Sequence, residues 1–258
     1  MNQPLASIHP DAKIGENVVI GPFVTIDRDV VIGDGTRIGS NVTILNGARI
    51  GKNCTIFPGA VISAIPQDLK FHGEETTAII GDNTTIRECV TINRGTASKG
   101  KTIVGSNCLI MAYCHVAHDC EVGNNVIISN ATQLAGEVVV DDFAVIGGGT
   151  LVHQFCHLGS HVMIQGGALI NKDIPPFVKA AREPISYVGV NSIGLRRRGF
   201  TNEQISDIQE VYRYLYLSGL NFSDAVERIE AELPATRERD EIILFIRNSQ
   251  RGIIRGYV

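Results

Sequence analysis

From Ile8 onward every sixth residue is isoleucine: Ile14, Ile20, Ile26, Ile32, Ile38, Ile44, Ile50, Ile56 and Ile62. Four places after the aliphatic residue stands something small or β-branched, namely Ala12, Val18, Val24, Val30, Thr36, Val42, Ala48, Cys54 and Ala60. Glycine often follows the aliphatic residue directly, as at Gly15, Gly21, Gly33, Gly39 and Gly51. An amphipathic helix repeats near every 3.6 residues and an isolated strand every two, so neither explains a strict six. A short strand plus a turn does, with three such units closing one triangular coil. Coils then stack about 4.8 Å apart through parallel strand pairing.

The phase lapses between Ile62 and Ile80, resumes at Ile80, Ile86 and Ile92, and lapses again over 97–101. From Val104 it runs unbroken through Ile110, Val116, Val122, Ile128 and Leu134 to Ile170. The lapses predict loop insertions near 63–78 and 97–102, and long loops on a regular scaffold are often where function sits. The rhythm ends at Pro175-Pro176. Beyond it, Phe200-Thr201-Asn202-Glu203-Gln204 resembles a hydrophobic staple and capping box, with Ile205, Ile208, Val211, Tyr212 and Leu215 on one helical face. Gly219 ends that helix, Ser223 is expected to cap a second that stops at Pro234, and Glu241 to about Asn248 reads as part of a third. The expectation is a mainly β chain: a parallel β-helix of hexapeptide repeats over residues 1–190 and a C-terminal α-helical domain over 191–258.

Charge is −4 over 258 residues with 19% charged, which gives no reason to expect nucleic acid or a membrane surface as partner. No apolar run approaches the roughly 20 residues of a membrane span. Met1 to Leu5 shows no basic region leading into an apolar run, so no signal peptide is read and a cytoplasmic location is expected. Cys54, Cys108, Cys114, Cys120 and Cys156 share the small inward position of the hexad and read as buried small hydrophobes. Cys89 lies off that position and has no assignment.

The chemistry concentrates in Cys114-His115-Val116-Ala117-His118-Asp119-Cys120, which brings two imidazoles and a carboxylate into an otherwise apolar segment. Imidazole takes a proton near neutral pH, and a neighbouring carboxylate orients it and supports its charged form. Eighteen residues make one coil, so Glu137 falls one coil from Asp119, and His118 projects over Gly136. Glycine there leaves room for a ligand and an unobstructed N–H of the kind an oxyanion site uses. His153 and Gln154 lie about two coils from His118. On spacing alone, a histidine merely satisfied by Asp119 on the outside of a solenoid is as good a reading as a catalytic one. His115, His118 and His153 also allow a zinc site, although carboxylates and amides crowd the face and no thiolate has ligand-like spacing. Arg196-Arg197-Arg198 suits either a solvated run or phosphate recognition. No glycine-rich nucleotide loop followed by Lys-Ser/Thr occurs.

The isoleucine hexads resemble the left-handed parallel β-helix of the hexapeptide-repeat acyltransferases, a hand taken from that family and opposite to the usual crossover. Within it the chain resembles the acyl-carrier-protein–UDP-N-acetylglucosamine O-acyltransferase family of lipid A biosynthesis. The likeness rests on Gln67-Asp68-Leu69-Lys70, Thr91-Ile92-Asn93-Arg94-Gly95-Thr96, His115 to Cys120, Val152-His153-Gln154-Phe155-Cys156 and Arg197-Arg198-Gly199-Phe200. The resemblance implies that His118 is the general base for the glucosamine 3-hydroxyl, that Asp119 supports it, and that the Gly136 N–H holds the oxyanion. It implies an (R)-3-hydroxyacyl carrier protein as donor and UDP-N-acetylglucosamine as acceptor. Asp68 and Lys70 map to contacts with acyl chain and nucleotide sugar; His115, His153, Gln154, Asn191, Arg197 and Arg198 map to other substrate contacts. Gly166 falls where the family sets acyl length, and glycine there implies a long chain. The active site would lie between subunits of a homotrimer, with no cofactor and no metal. Asn93 and Glu137 stand at two further substrate-contact positions where the family commonly has histidine, so the sugar is open at this point, including a UDP-amino sugar that would yield an amide.

Three rivals remain in view. An N-acyltransferase acting later in the same pathway usually carries an extra N-terminal sugar-nucleotide domain, whereas the hexads here begin by Ile8. A zinc enzyme of the carbonic-anhydrase type predicts bound metal. A purely structural solenoid gives no reason for polar residues to converge around His118.

Overall fold

The computed structural model of the protein describes residues 4–256. Each hexad forms a short strand in which an outward residue is followed by the inward aliphatic one, as in Thr43–Ile44, His115–Val116 and Ile127–Ile128. Among the described residues these strands sort into sheets of nine, eight and eleven strands, and through the coils each strand is bonded to the one three strands further along the chain. The chain therefore winds as a parallel β-helix with three walls. Ile26 opposes Ile44, and Val116 opposes Leu134, eighteen positions on in each case. At the insertions the partner moves: Ile62 opposes Ile92, thirty positions on, and Ile92 opposes Val116, twenty-four on. Twelve and six extra residues are thus looped out of single coils, and the inward row continues in phase.

That row is the core. Ile44, Ile62, Ile92, Val116, Leu134 and Leu158 have no exposed surface, and the small residues between them, such as Val42, Ala60 and Val138, are equally buried. Each aliphatic side chain contributes roughly 1.5–3 kcal/mol on burial, and small partners let three of them meet inside one narrow coil. Ile14, in the first coil, remains 36% exposed because no coil stacks beneath it. Cys54, Cys108, Cys114, Cys120 and Cys156 fill inward positions as buried free thiols.

The corners hold what the hexad pattern did not show. One corner residue in most hexads adopts a positive φ, among them Asn17, Asn41, Asn53, Asn107, Asn125, Tyr113, Asp119, Glu137 and Phe155. Asparagine tolerates this left-handed conformation; a bulky side chain there costs about 1–2 kcal/mol. Exposed Cys89, at φ 56, is one of these corner residues, which accounts for its place off the inward row.

Past the last full coil, Val178–Ala181 joins Met163–Ile164 in parallel and turns back as antiparallel Ser186–Val190. A short helix α1 (Ser192–Arg197) lies between these strands and the helices expected from sequence. Helix α2 (Asn202–Leu217) has the anticipated capping box between Thr201 and Gln204 and buries Ile205, Ile208, Val211, Tyr212 and Leu215. Helix α3 (Phe222–Glu232) is capped by Asn221, whose side chain accepts from the Asp224 N–H; Ser223 lies inside the first turn instead. Helix α4 (Arg237–Asn248) starts earlier than its apolar residues suggest, because Thr236 caps it. Stacked Tyr187, Tyr212 and Tyr216 join the tail to the strands, and Tyr212 Oη donates to the Pro176 carbonyl at 2.5 Å. Ser249 Oγ donates to Asp173, and Arg255–Gly256 pairs with Ser186–Val190. No helix among the described residues is long and apolar enough to cross a membrane.

Candidate active site at the His118 corner

His118 and Asp119 follow the strand His115–Val116 and form the corner leading to Glu121–Val122. Asp119 takes the positive φ of these corners (59°), and, unlike most residues so placed, its side chain is fully buried. His118 Nδ1 lies 2.8 Å from Asp119 Oδ2 and donates to it, since an ionised carboxylate only accepts. That fixes the tautomer and leaves Nε2 with its lone pair outward. The carboxylate also accepts from the Thr96 N–H at 3.0 and 3.1 Å, the Thr96 hydroxyl at 2.6 Å and the Lys99 N–H at 3.2 Å. A buried anion with this many donors is held without a counter-cation in contact.

The ring lies over Gly136. A β-carbon built on that glycine would stand 2.6 Å from His118 Cε1 and 2.7 Å from Nε2, so any other residue displaces the imidazole. The Gly136 N–H can be set beside the N–H groups of another corner. On the corner after the eight-stranded sheet, the corresponding N–H groups of Glu16, Lys52, Ser106 and Asn124 donate to Asp34, Asp82, Asn124 and Asp142 from the next coil. The next coil above Gly136 offers Gln154, which is exposed and makes no such bond among the described residues. The Gly136 N–H is thus without a side-chain acceptor from the coil above, and the free edge of the imidazole lies over this glycine.

An open groove of about 420 Å³ passes this edge, lined by Gln67, His115, His118, Gln133, Gly136 and Gln154 with apolar walls from Leu134, Leu151 and Val152. His115 is hydrogen-bonded through Nδ1 to Thr91 Oγ1 at 2.7 Å. Burial, reinforced by the charge of His118, holds its pKa below the ordinary imidazole value. Its neutral ring is suited to hydrogen bonding and leaves the proton chemistry to His118. The nearby thiols are poor nucleophiles, burial pushing Cys114 up to about 11 and Cys120 up to about 12.

The remaining expected site residues separate into groups. His153 is exposed near the groove, its Nδ1–H donating to the Gln154 carbonyl at 3.0 Å. Glu137 accepts from the Ser98 hydroxyl at 3.2 Å. Asp68 and Lys70 lie on the 65–76 loop, where the Lys70 N–H donates to Asp68. Asn93 is 2% exposed and directs its amide N–H to the Ile65 carbonyl at 3.2 Å, so it fastens the root of that loop instead of lining the groove. Gly166 is exposed at the corner on the far side of the nine-stranded sheet. Asn191 caps α1 and donates to the His161 carbonyl at 3.0 Å. Arg198, over the Phe143 ring, and exposed Arg197 share that third corner. Within one chain these last residues do not meet His118. The described residues contain no group of three His, Cys, Asp or Glu side chains arranged to hold a metal. Thr91 and Thr96 stand in a stretch that carries the resemblance but have no role assigned from sequence, and Lys99 is not singled out, because their contacts to this corner cross an insertion whose path the hexad count does not give.

Comparison with known proteins agrees in extent and in kind. A family model described as "Udp N-acetylglucosamine O-acyltransferase; Domain 2" matches residues 173–254, one for the bacterial transferase hexapeptide matches 101–136, and one for the GMPPB C-terminal domain matches 2–106. The acyl-[acyl-carrier-protein]–UDP-N-acetylglucosamine O-acyltransferase of Halorhodospira halophila is 44% identical over 253 residues, 98% of each chain. Its counterpart in Janthinobacterium sp. is 47% identical over 257 residues, again 98% of each. The crystal structure of a UDP-N-acetylglucosamine acyltransferase from Bacteroides fragilis superposes with a TM-score of 0.96 at 62% identity, covering 99% of this chain and 100% of that one.

Proposed function

The chain belongs to the acyl-[acyl-carrier-protein]–UDP-N-acetylglucosamine O-acyltransferase family, and on that premise we propose that the His118 corner carries out acyl transfer in lipid A biosynthesis. The reaction moves an (R)-3-hydroxyacyl chain from acyl carrier protein to the glucosamine 3-hydroxyl of UDP-N-acetylglucosamine. The observation that carries the assignment of the base is the imidazole tied through Nδ1 to Asp119 while its other edge lies over Gly136 beside the groove.

His118 Nε2 takes the proton of the sugar hydroxyl as its oxygen attacks the thioester carbonyl, and Asp119 stabilises the imidazolium that forms. The carbonyl oxygen becomes an oxyanion and receives the Gly136 N–H. When the tetrahedral species collapses, the carbon–sulfur bond breaks and the imidazolium returns its proton to the departing thiolate. Atoms and charge balance with no cofactor.

The groove supplies the rest. His115, His153, Gln154 and Glu137 border the sugar, and Asp68 and Lys70 reach it from the 65–76 loop. Asn191, Arg197 and Arg198 act across a subunit boundary, their guanidinium groups suited to the pyrophosphate. That division of labour favours a homotrimer in which one chain's His118 corner meets a neighbour's arginines. Gly166 leaves room for a long acyl chain, and the enzyme works in the cytoplasm. The test is transfer from (R)-3-hydroxyacyl carrier protein to UDP-N-acetylglucosamine by the parent and by His118→Ala. The variant is expected to lose ~10²–10⁴ in turnover; an active parent with an unimpaired variant would move the base elsewhere.

A further inference from the structure

The six-residue insertion after Gly95 is not an idle loop. It opens where Thr76 Oγ1 donates to the Gly95 carbonyl at 2.6 Å, and it closes where the Gly100 N–H donates to Thr96 O at 2.8 Å. Gly95 permits the closure, since a β-carbon there would lie 2.2 Å from the Lys101 nitrogen. From this ring the insertion reaches the next two coils. Thr96 and the Lys99 N–H bind Asp119, the Lys99 ammonium pairs with Glu121 at 2.8 Å, and Ser98 Oγ donates to Glu137.

Thr96 is the centre of it. Its side chain is buried, its hydroxyl oxygen accepts from the Ser98 N–H at 3.1 Å, and its hydroxyl proton goes to Asp119 Oδ2 at 2.6 Å. Oδ2 is the same oxygen that accepts from His118 Nδ1. A carboxylate can rotate about its Cβ–Cγ bond, and the Thr96 and Lys99 donors hold its plane where one oxygen meets the imidazole. We propose that Thr96 is a positioning residue for the acyl transfer: its hydroxyl locks the Asp119 carboxylate in the orientation that fixes the His118 tautomer and shares the charge that supports the imidazolium. The proposal rests on His118 being the base. It needs no contact between Thr96 and substrate.

The direction of the effect follows from charge. The charged and titratable groups around the pair are Lys99 and Glu121 from the insertion and the following strand, Glu137 from the coil above, and His115 on the preceding strand. Removing the hydroxyl donor leaves more charge on Oδ2, which favours imidazolium over imidazole. The acid limb of the kcat/KM profile therefore moves to higher pH in Thr96→Val, while a looser imidazole lowers kcat.

The experiment compares the parent with Thr96→Val, Thr96→Ser and Thr96→Cys by steady-state transfer kinetics across pH and by NMR titration of His118. Thr96→Val is expected to lose about tenfold in kcat with little change in KM, to shift the acid limb upward, and to raise the titration midpoint of His118. Thr96→Ser restores both, and Thr96→Cys, a weaker donor, falls between. In a His118→Ala background Thr96→Val should add no further loss. Equal kcat and an unmoved His118 titration across the series overturn the proposal, as does a serine variant as impaired as valine. Should Thr96→Val not fold, the serine and cysteine variants carry the same comparison, and equal values for those two overturn it. The NMR midpoint needs no substrate, so it reads the Thr96 effect even if His118→Ala kinetics were to place the base elsewhere.

Discussion

Gly136 owes its identity to the ring above it, because a β-carbon there falls 2.6 Å from His118 Cε1 and 2.7 Å from Nε2. Its backbone is unstrained for ordinary residues, its φ not being among the positive ones, so Gly136→Ala should fold as the parent does. What it cannot do is keep the imidazole in place. A displacement near 1 Å of a reacting group costs about a hundredfold in rate, so turnover should fall by ~10² while thermal stability stays within a degree or two of the parent. Normal turnover in a folded Gly136→Ala would show that the ring has room to move without consequence. The pairing of His118 with Gly136 was legible from counting eighteen residues, since the register is set by the inward row. The orientation of Asp119 was not legible. Many of these corners share its positive φ, so the conformation says nothing special about Asp119, and the donors that aim its carboxylate come from Thr96 and Lys99.

At the scale of elements, the junction between solenoid and helical tail contains an acid-sensitive contact. His161 sits at a corner, stacked on Phe143 at 4.8 Å and bordered by Phe177 and Phe200. Burial, with the charges of Arg198 and Arg237 assisting and Asp142 opposing, pushes its pKa down to about 4. An unfolded chain takes up that proton near the ordinary imidazole value of about 6.5. Between those limits the unfolded state holds more protons than the folded one, so stability from this group falls as pH drops from about 6.5 to about 4. Glu241, whose carboxyl burial pushes up, works in the opposite direction, which makes the parent alone a poor readout. Thermal melting from pH 4 to 7 should fall more steeply for the parent than for His161→Phe; parallel curves would remove His161 as the cause. Little of this junction could be read from sequence. Helix α2 was, because its cap and apolar face are local. Helix α1 and the aromatic packing around His161 depend on which corner the tail meets, whereas the Asn221 cap is local and competes with Ser223, a residue equally suited to capping.

For the whole molecule, the legible part and the illegible part divide along the same line. A strict six-residue row specifies three walls, the register between coils and the inward cysteines, because each inward residue must stack on one eighteen positions away. It does not place Asn191, Arg197 and Arg198, which follow the repeat and lie at a different corner from His118 in one chain. If the proposed trimer brings those corners together, each site takes its base from one subunit and its arginines from the next. Arg197 is the residue to test, because it is exposed and its removal leaves the packing of α1 intact. Losing a charge-assisted contact of ~1.5–3 kcal/mol should lower kcat/KM for UDP-N-acetylglucosamine about ten- to a hundredfold in Arg197→Ala. His118→Ala alone is expected to be nearly inactive. When the two variants are co-expressed and their subunits distribute at random, about a quarter of the intersubunit sites pair an intact His118 with an intact Arg197. Activity should then rise well above the average of the two separate variants, toward about a quarter of the parent. Sites contained within one chain would give only that average, because every subunit then carries a lesion, and the comparison thus separates a shared site from a self-contained one.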